Sequence, residues 1–307
     1  MELLASYGKR TKLDTHAMGI VVSTEVIGAN GRPFSLRTGQ QLSGFVRGVA
    51  FGRAGQVLVV GPQGAAVQHG DGRVVPLKVE GTGMLEPLFV GSALIMQDDP
   101  SRARGLAVFD IETGELRGRL EHERIVYGTR EVVEASLCAA REPDHVWVRD
   151  RTSLRAWDLV RMRELQRVPA MVGTTFEGVG LLPDGGLVTG QSVAGAEKKV
   201  VVLEGLSVAR EREVAGTFMG VAGDSLIVQD IEKQELVVLD PSLELVERLS
   251  LRELGLVGFL PLWSDRREFL AVDWHNQVHH FGEPSLKPVA SPKQAPAPKK
   301  KASKKQA

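Results

Sequence analysis

Leu106-Ala107-Val108-Phe109-Asp110, followed by Ile111-Glu112-Thr113-Gly114-Glu115-Leu116, is the stretch on which the fold turns. A short apolar run makes a strand, the Asp closes it, and Glu-Thr-Gly makes a turn before apolar residues resume. The phrase returns along the chain. Leu154-Arg155-Ala156-Trp157-Asp158, Val200-Val201-Val202-Leu203-Glu204 and Leu236-Val237-Val238-Leu239-Asp240 repeat it, and Val278-His279-His280-Phe281-Gly282 is a weaker copy. From Asp110 to Gly282 four intervals cover 172 residues, a mean period of 43. That spacing falls in the window where repeat architectures are considered before any other.

Each copy is preceded by another apolar run, such as Leu94-Ile95-Met96, Val146-Trp147-Val148, Leu226-Ile227-Val228 or Phe269-Leu270-Ala271-Val272. A shorter run comes before that, and an alternating segment such as Leu243 to Leu249 comes after. The unit is therefore four short strands joined by hairpins, with turns supplied by Gly70-Asp71-Gly72, Pro183-Asp184-Gly185-Gly186 and Ala222-Gly223-Asp224-Ser225. Such a sheet cannot cover both of its faces alone, and radial stacking of several covers them. The expectation is an all-β fold: a β-propeller of four-stranded blades over residues 1–286. The length fits seven blades, with six or eight also compatible. The first unit, around Gly19 to Leu36, matches the template loosely, and Met1 to Tyr7 is the candidate strand for closing the ring against the last blade. Stacked helical repeats are excluded, because no segment sustains apolar spacing at i, i+3, i+4 and i+7.

Asp150-Arg151-Thr152-Ser153-Leu154-Arg155-Ala156-Trp157-Asp158 resembles the end of a WD40 repeat, with an Asp in the turn before the third strand and a closing Trp-Asp. Phe109-Asp110, Leu203-Glu204 and Leu239-Asp240 are degenerate versions of that ending. In WD40 repeats the turn Asp, the Trp and a Gly-His dipeptide share one hydrogen-bond network, and no Gly-His occurs in this chain. The resemblance implies a WD40-like or related bacterial propeller.

The formal net charge of zero conceals an asymmetry. From Lys287 to Ala307 there are seven Lys and no acid; setting them aside from the 38 basic residues leaves 31 against 38 acidic ones in the body. The tail, residues 287–307, is rich in Lys, Pro and Ala, without the large apolar residues a core needs, so it is expected to be disordered. Lys293, Lys299, Lys300, Lys301, Lys304 and Lys305 are its candidates for contacting an anionic partner such as nucleic acid, without sequence preference. A purely solubilising tail is the alternative. Cys138 is the only cysteine, which leaves no intramolecular disulfide and reads as a small buried thiol. The first residues lack the basic start and apolar stretch of a secretory signal, and no apolar run is long enough to span a bilayer. Cytoplasmic residence is the expectation.

Catalytic motifs are mostly excluded. Tyr7-Gly8-Lys9-Arg10-Thr11 lacks the first Gly and the Ser or Thr of a P-loop. No G-x-S-x-G elbow is present, and one Cys cannot assemble a Cys-based zinc site. His275, His279 and His280 are the only His cluster, but His279 and His280 are adjacent on an expected strand and so point to opposite faces. Ala107-Val108-Phe109-Asp110-Ile111-Glu112-Thr113-Gly114 resembles a quinoprotein blade signature with one extra residue, yet it occurs once rather than in every blade. No catalytic residue, metal ligand or cofactor is assigned.

Asp98, Asp150, Asp230 and Asp273 each fall where the second strand of a unit ends, which places them on one face of the disc. Asp favours such turns for local backbone bonding. With Arg102, Arg104, Arg151, Lys233 and His275 they also form a candidate partner-binding face, where charge steers encounter and apolar anchors supply affinity. The function expected is a non-enzymatic protein–protein interaction scaffold within a larger bacterial-type assembly, with the tail as an auxiliary tether to anions. The alternatives are a nucleic-acid-associated protein acting through the tail and a propeller enzyme of quinoprotein or metal-dependent type.

Overall fold

The structure, a computed structural model, describes residues 2–7, 21–22, 26–29, 32–35, 48–51, 56–61, 64–78, 87–97, 105–127, 130–133, 135–193, 197–205, 207–256, 260–265, 268–273, 275 and 277–282. Strand β1 is Glu2–Tyr7. Blade 1 holds β2 (Val21–Val22), β3 (Val26–Ala29) and β4 (Arg32–Ser35). Blade 2 holds β5 (Gly48–Phe51), β6 (Val57–Gly61), β7 (Gly64–Gln68) and β8 (Val74–Leu77). Blade 3 holds β9 (Leu88–Val90), β10 (Ala93–Gln97), β11 (Leu106–Asp110) and β12 (Leu116–Leu120). A separate hairpin follows, β13 (Arg124–Tyr127) and β14 (Arg130–Val133). Blade 4 holds β15 (Ser136–Ala139), β16 (His145–Arg149), β17 (Ser153–Asp158) and β18 (Arg163–Pro169). Blade 5 holds β19 (Thr174–Leu181), β20 (Leu187–Val193), β21 (Lys198–Glu204) and β22 (Ser207–Val214). Blade 6 holds β23 (Thr217–Ala222), β24 (Ser225–Asp230), β25 (Glu235–Leu239) and β26 (Leu245–Ser250). Blade 7 holds β27 (Leu260–Asp265), β28 (Glu268–Val272) and β29 (Val278–Gly282).

The blades form a closed ring. Each innermost strand contacts the next: β2 with β5, β5 with β9, β9 with β15, β15 with β19, β19 with β23, β23 with β27, and β27 with β2 again. That circuit fixes the number of blades at seven. The order of the last sheet is β1-β29-β28-β27, so the N-terminal strand supplies the outermost strand of blade 7. Closure therefore joins the beginning of the chain to the end of its repeat. Blade 1, the unit that matched the repeat loosely, shows three strands among the described residues. The tail, residues 287–307, with Lys293, Lys299, Lys300, Lys301, Lys304 and Lys305, lies outside the described residues.

The repeated phrase is the third strand of blades 3 to 7, and it is mostly apolar because neighbouring blades cover both of its faces. Leu106 and Val108 of β11 pack with Val146, Val148 and Trp157 of blade 4, whereas Ala107 and Phe109 pack with Leu58 and Val67 of blade 2. Successive residues of one strand thus serve two different interfaces. The same pattern joins blade 4 to 5 through Leu154, Phe176 and Val201, and blade 5 to 6 through Val200, Val202, Phe218 and Val228. Leu3 of β1 and Phe281 of β29 complete the interface between blades 6 and 7. The outer strands, by contrast, alternate between exposed and half-buried residues, as in β18 and β22.

Candidate functional site

A meandering blade puts its turns at two ends of the disc. One end carries the turns between the second and third strands, together with the connections between blades. Asp150 follows β16, Asp230 ends β24 and Asp273 follows β28, so three of the four Asp expected on this face occupy equivalent positions in blades 4, 6 and 7. All three are about 1% exposed. Their carboxylates turn inward to organise the turn. Ser153 Oγ donates to Asp150 Oδ2 at 3.2 Å, and Arg155 Nε lies 3.1 Å from the same oxygen. Asp230 Oδ1 accepts from the Lys233 amide at 3.0 Å. Asp273 Oδ1 accepts from the amides of His275 and Gln277 at 2.9 and 3.0 Å. The outward part of the expected face is Lys233, whose side chain is 59% exposed, with Arg151 and His275 half-buried. Asp98, Arg102 and Arg104 lie outside the described residues.

This face also presents apolar residues that sequence reasoning missed. Met171 and Val172, in the connection from blade 4 to blade 5, are 65% and 105% exposed, and Ile231, in the turn after β24, is 52% exposed. The connection is fastened at both ends: the Ala170 amide donates to Thr152 O at 2.7 Å and the Phe176 amide to Arg151 O at 2.8 Å. Met171 and Val172 are therefore displayed from a bonded loop beside Arg151. An open groove is lined by Glu197, Lys198, Glu213, Val214 and Ala215, at the start of β21, the end of β22 and the connection that follows. The available signal was an apolar pair, Met171-Val172, set in a turn rather than in a strand.

Asp273 has a second task. Its Oδ2 faces His279 Nε2 at 3.1 Å, and His279 Nδ1 accepts the hydroxyl of Ser6 at 2.8 Å when the ring is neutral with its proton on Nε2. Burial pushes the Asp273 carboxyl up. The His279 hydrogen bond and charge, with the amides of Gln277 and His275, outweigh that and hold it below the ordinary value. A carboxylate, an imidazole and a hydroxyl thus link the turn, β29 and the closing strand β1. His280 is also buried and, as strand alternation requires, points to the other face. The three clustered histidines are divided in this way, and among the described residues no group of three or more His, Cys, Asp or Glu could hold a metal ion.

At the other end of the disc the Asp that closes the repeat in blades 3, 4 and 6 caps the next turn. Asp110 Oδ1 accepts from the Glu112 and Thr113 amides, Asp158 Oδ1 from Val160 and Arg161, and Asp240 Oδ1 from Ser242 and Glu244, all at 2.8–3.0 Å. That bonding explains the recurring Asp, including the one in the quinoprotein-like stretch. Gly114, with φ +72°, is required there because a Cβ would overlap Pro76 O of blade 2. A polar clasp joins blades 3 and 4. Arg117 Nη2 reaches Asp110 Oδ2 at 2.6 Å and Ser92 Oγ at 2.9 Å, while Asp144 Oδ1 accepts from the Ser92 amide at 2.7 Å and from its hydroxyl at 2.9 Å. The Trp157 indole N–H is buried and has no hydrogen-bond partner among the described residues, so the shared WD40 network is not assembled around it. Cys138, expected to be buried, is half-exposed on β15, the innermost strand of blade 4.

No family model matches the chain, and no curated protein matches it in sequence. Its fold is matched by 957 solved chains, so the architecture alone selects no activity. One of them is the crystal structure of BamB from Moraxella catarrhalis, with a TM-score of 0.53 and 13% identity, covering 88% of this chain and 86% of that one. At that identity the likeness establishes a shared β-propeller fold and leaves function to the residues.

Proposed function

We propose that the protein is a non-enzymatic interaction scaffold, a WD40-like or related bacterial propeller that binds protein partners through the face bearing the turns after the second strands. The observation that carries this reading is the exposure of Met171, Val172 and Ile231 on that face, beside Arg151 and Lys233. Apolar side chains held out from a bonded loop are the anchors a partner's pocket takes, and the charges around them govern approach and selectivity. The inward-turned Asp150, Asp230 and Asp273 keep the turns in shape, so they position the surface rather than contact the partner. The lysines of residues 287–307 act as an auxiliary tether to an anion.

The test is affinity capture from the native host with the full chain and two variants. Met171→Asp/Val172→Asp/Ile231→Asp alters the proposed face. Val160→Asp alters an exposed apolar residue in a turn at the opposite end. Partners retained by wild type and Val160→Asp but absent from the triple variant support the reading; partners unaffected by the triple change contradict it. The separation of seven lysines into the tail favours a second reading, nucleic-acid association through that segment. It requires a gel-mobility shift at near-physiological salt that disappears when residues 287–307 are removed.

A further inference from the structure

Met96, Met162, Met171 and Met219 are the methionines among the described residues, and three of them are packed. Met96 is 3% exposed, in the core between blades 2 and 3. Met162 is half-buried against the core of blades 3 and 4, and Met219, on the innermost strand β23, is half-buried against the core of blades 6 and 7. Met171 packs in none of these clusters, and about two thirds of it meets solvent. The loop that displays it is held by other groups. The Thr174 amide and Oγ1 donate to Met171 O at 2.9 and 2.8 Å. Ala170 bonds back to Thr152 and packs against the core of blades 4 and 5. The backbone of Met171 is therefore fixed, while its thioether stands free of the bonds and contacts that shape the turn.

A thioether is polarizable and does not ionise, so access governs how fast an oxidant reaches it. Hydrogen peroxide supplies the chemistry. The sulfur lone pair attacks one peroxide oxygen, the S–O bond forms as the O–O bond breaks, and the departing hydroxide takes the proton from the oxygen now on sulfur and leaves as water. Sulfur loses two electrons and the peroxide gains them. The product sulfoxide turns a flexible apolar side chain into a polar, chiral one. On a face whose other anchors are Val172 and Ile231, that new dipole must be stripped of water before a partner's apolar pocket can close over it.

We infer that Met171 is a redox modification site, oxidised to the sulfoxide ahead of the other described methionines, and that its oxidation switches off the apolar partner-binding face without unfolding the blades. The switching rests on the scaffold reading; the modification does not.

The full chain is treated with graded hydrogen peroxide, freed of peroxide, and mapped by peptide mass spectrometry. Met171 is expected to gain about 16 Da before Met162 and Met219, and at least about fivefold faster than Met96. At the dose that converts Met171, the urea midpoint stays at the untreated value. In affinity capture from the native host, treated wild type loses the partners that the untreated chain retains, and repair by methionine sulfoxide reductases acting on both epimers restores them. Treated Met171→Leu keeps them, because leucine preserves the apolar volume and has no sulfur to oxidise. Cys138, half-exposed on β15, is present in both chains, so its oxidation cannot produce the difference. Met171 converting no faster than Met162 or Met219 would overturn the modification. Capture undiminished in treated wild type, or lost equally in treated Met171→Leu, would overturn the switch. A failure of the scaffold reading appears separately, as untreated chains whose partners do not depend on Met171, Val172 and Ile231, and the peptide map then decides the modification alone.

Discussion

Replacing Asp273 probes the closure of the ring at its most connected residue. Asp273→Ala removes the acceptor for the His275 and Gln277 amides and leaves His279 Nε2 buried without its carboxylate. Hydrogen bonds to a charged group contribute about 1.5–3 kcal/mol each, and removing one partner of a buried pair costs about 3–5 kcal/mol. These contributions overlap, so the expected loss is about 4 kcal/mol. Asp273→Asn keeps an acceptor for the turn and an amide against the ring, and the expected loss is about 1–2 kcal/mol. Glu232→Ala, an exposed acid in the turn after β24, should change stability by less than about 0.5 kcal/mol. Urea denaturation followed by tryptophan fluorescence reads all three. The sign of the pH dependence follows from the depressed carboxyl. The stabilisation is fully present above the unfolded value of about 3.9 and is lost as pH falls through the lower folded value. The gap between wild type and Asp273→Ala should therefore be full near neutrality and narrow in strong acid. A gap under about 1 kcal/mol at neutral pH, or one unchanged in strong acid, would refute the reasoning.

Two further substitutions follow from the interfaces between blades. Gly91 adopts φ +55° and a Cβ there would overlap the Asp144 carboxylate, whereas Gly72 at φ +88° has nothing within 4 Å. Gly72→Ala should cost about 1 kcal/mol from backbone conformation alone, and Gly91→Ala at least about 2 kcal/mol more because it also displaces the bonds to Ser92, with urea midpoints as the measure. Phe109→Ala, emptying a fully buried site between blades 2 and 3, should cost about 3–5 kcal/mol in the same assay.

What could be read in the sequence depended on how local its physical cause was. Third strands such as Leu106–Asp110 and Glu235–Leu239 were legible because burial on both faces demands an apolar run, and the Asp that closes them because it caps the adjacent turn. The hairpin β13–β14 was not separable, since Ile125-Val126-Tyr127 and Val132-Val133 look like any other short strands in a chain of them. Asp150, Asp230 and Asp273 were correctly placed at equivalent turns, but the direction of a carboxylate depends on neighbours such as Arg155 and His279. The bond from Ser6 to His279 spans 273 residues, a separation at which no local pattern operates. Met171 and Val172 escaped notice for the opposite reason: they break the rule that turns are polar, and only their exposure distinguishes them from core.

Hydrogen exchange on the full chain and on a chain lacking residues 1–7 tests the closed seven-bladed ring most directly. β1 covers the outer edge of β29, and Leu3 packs at the interface with blade 6. Truncation should therefore accelerate exchange at Val278–Gly282 by at least about tenfold while leaving Ala93–Gln97 and Leu106–Asp110 of blade 3 protected. Equal protection of Val278–Gly282 in both chains would contradict closure by the N-terminal strand.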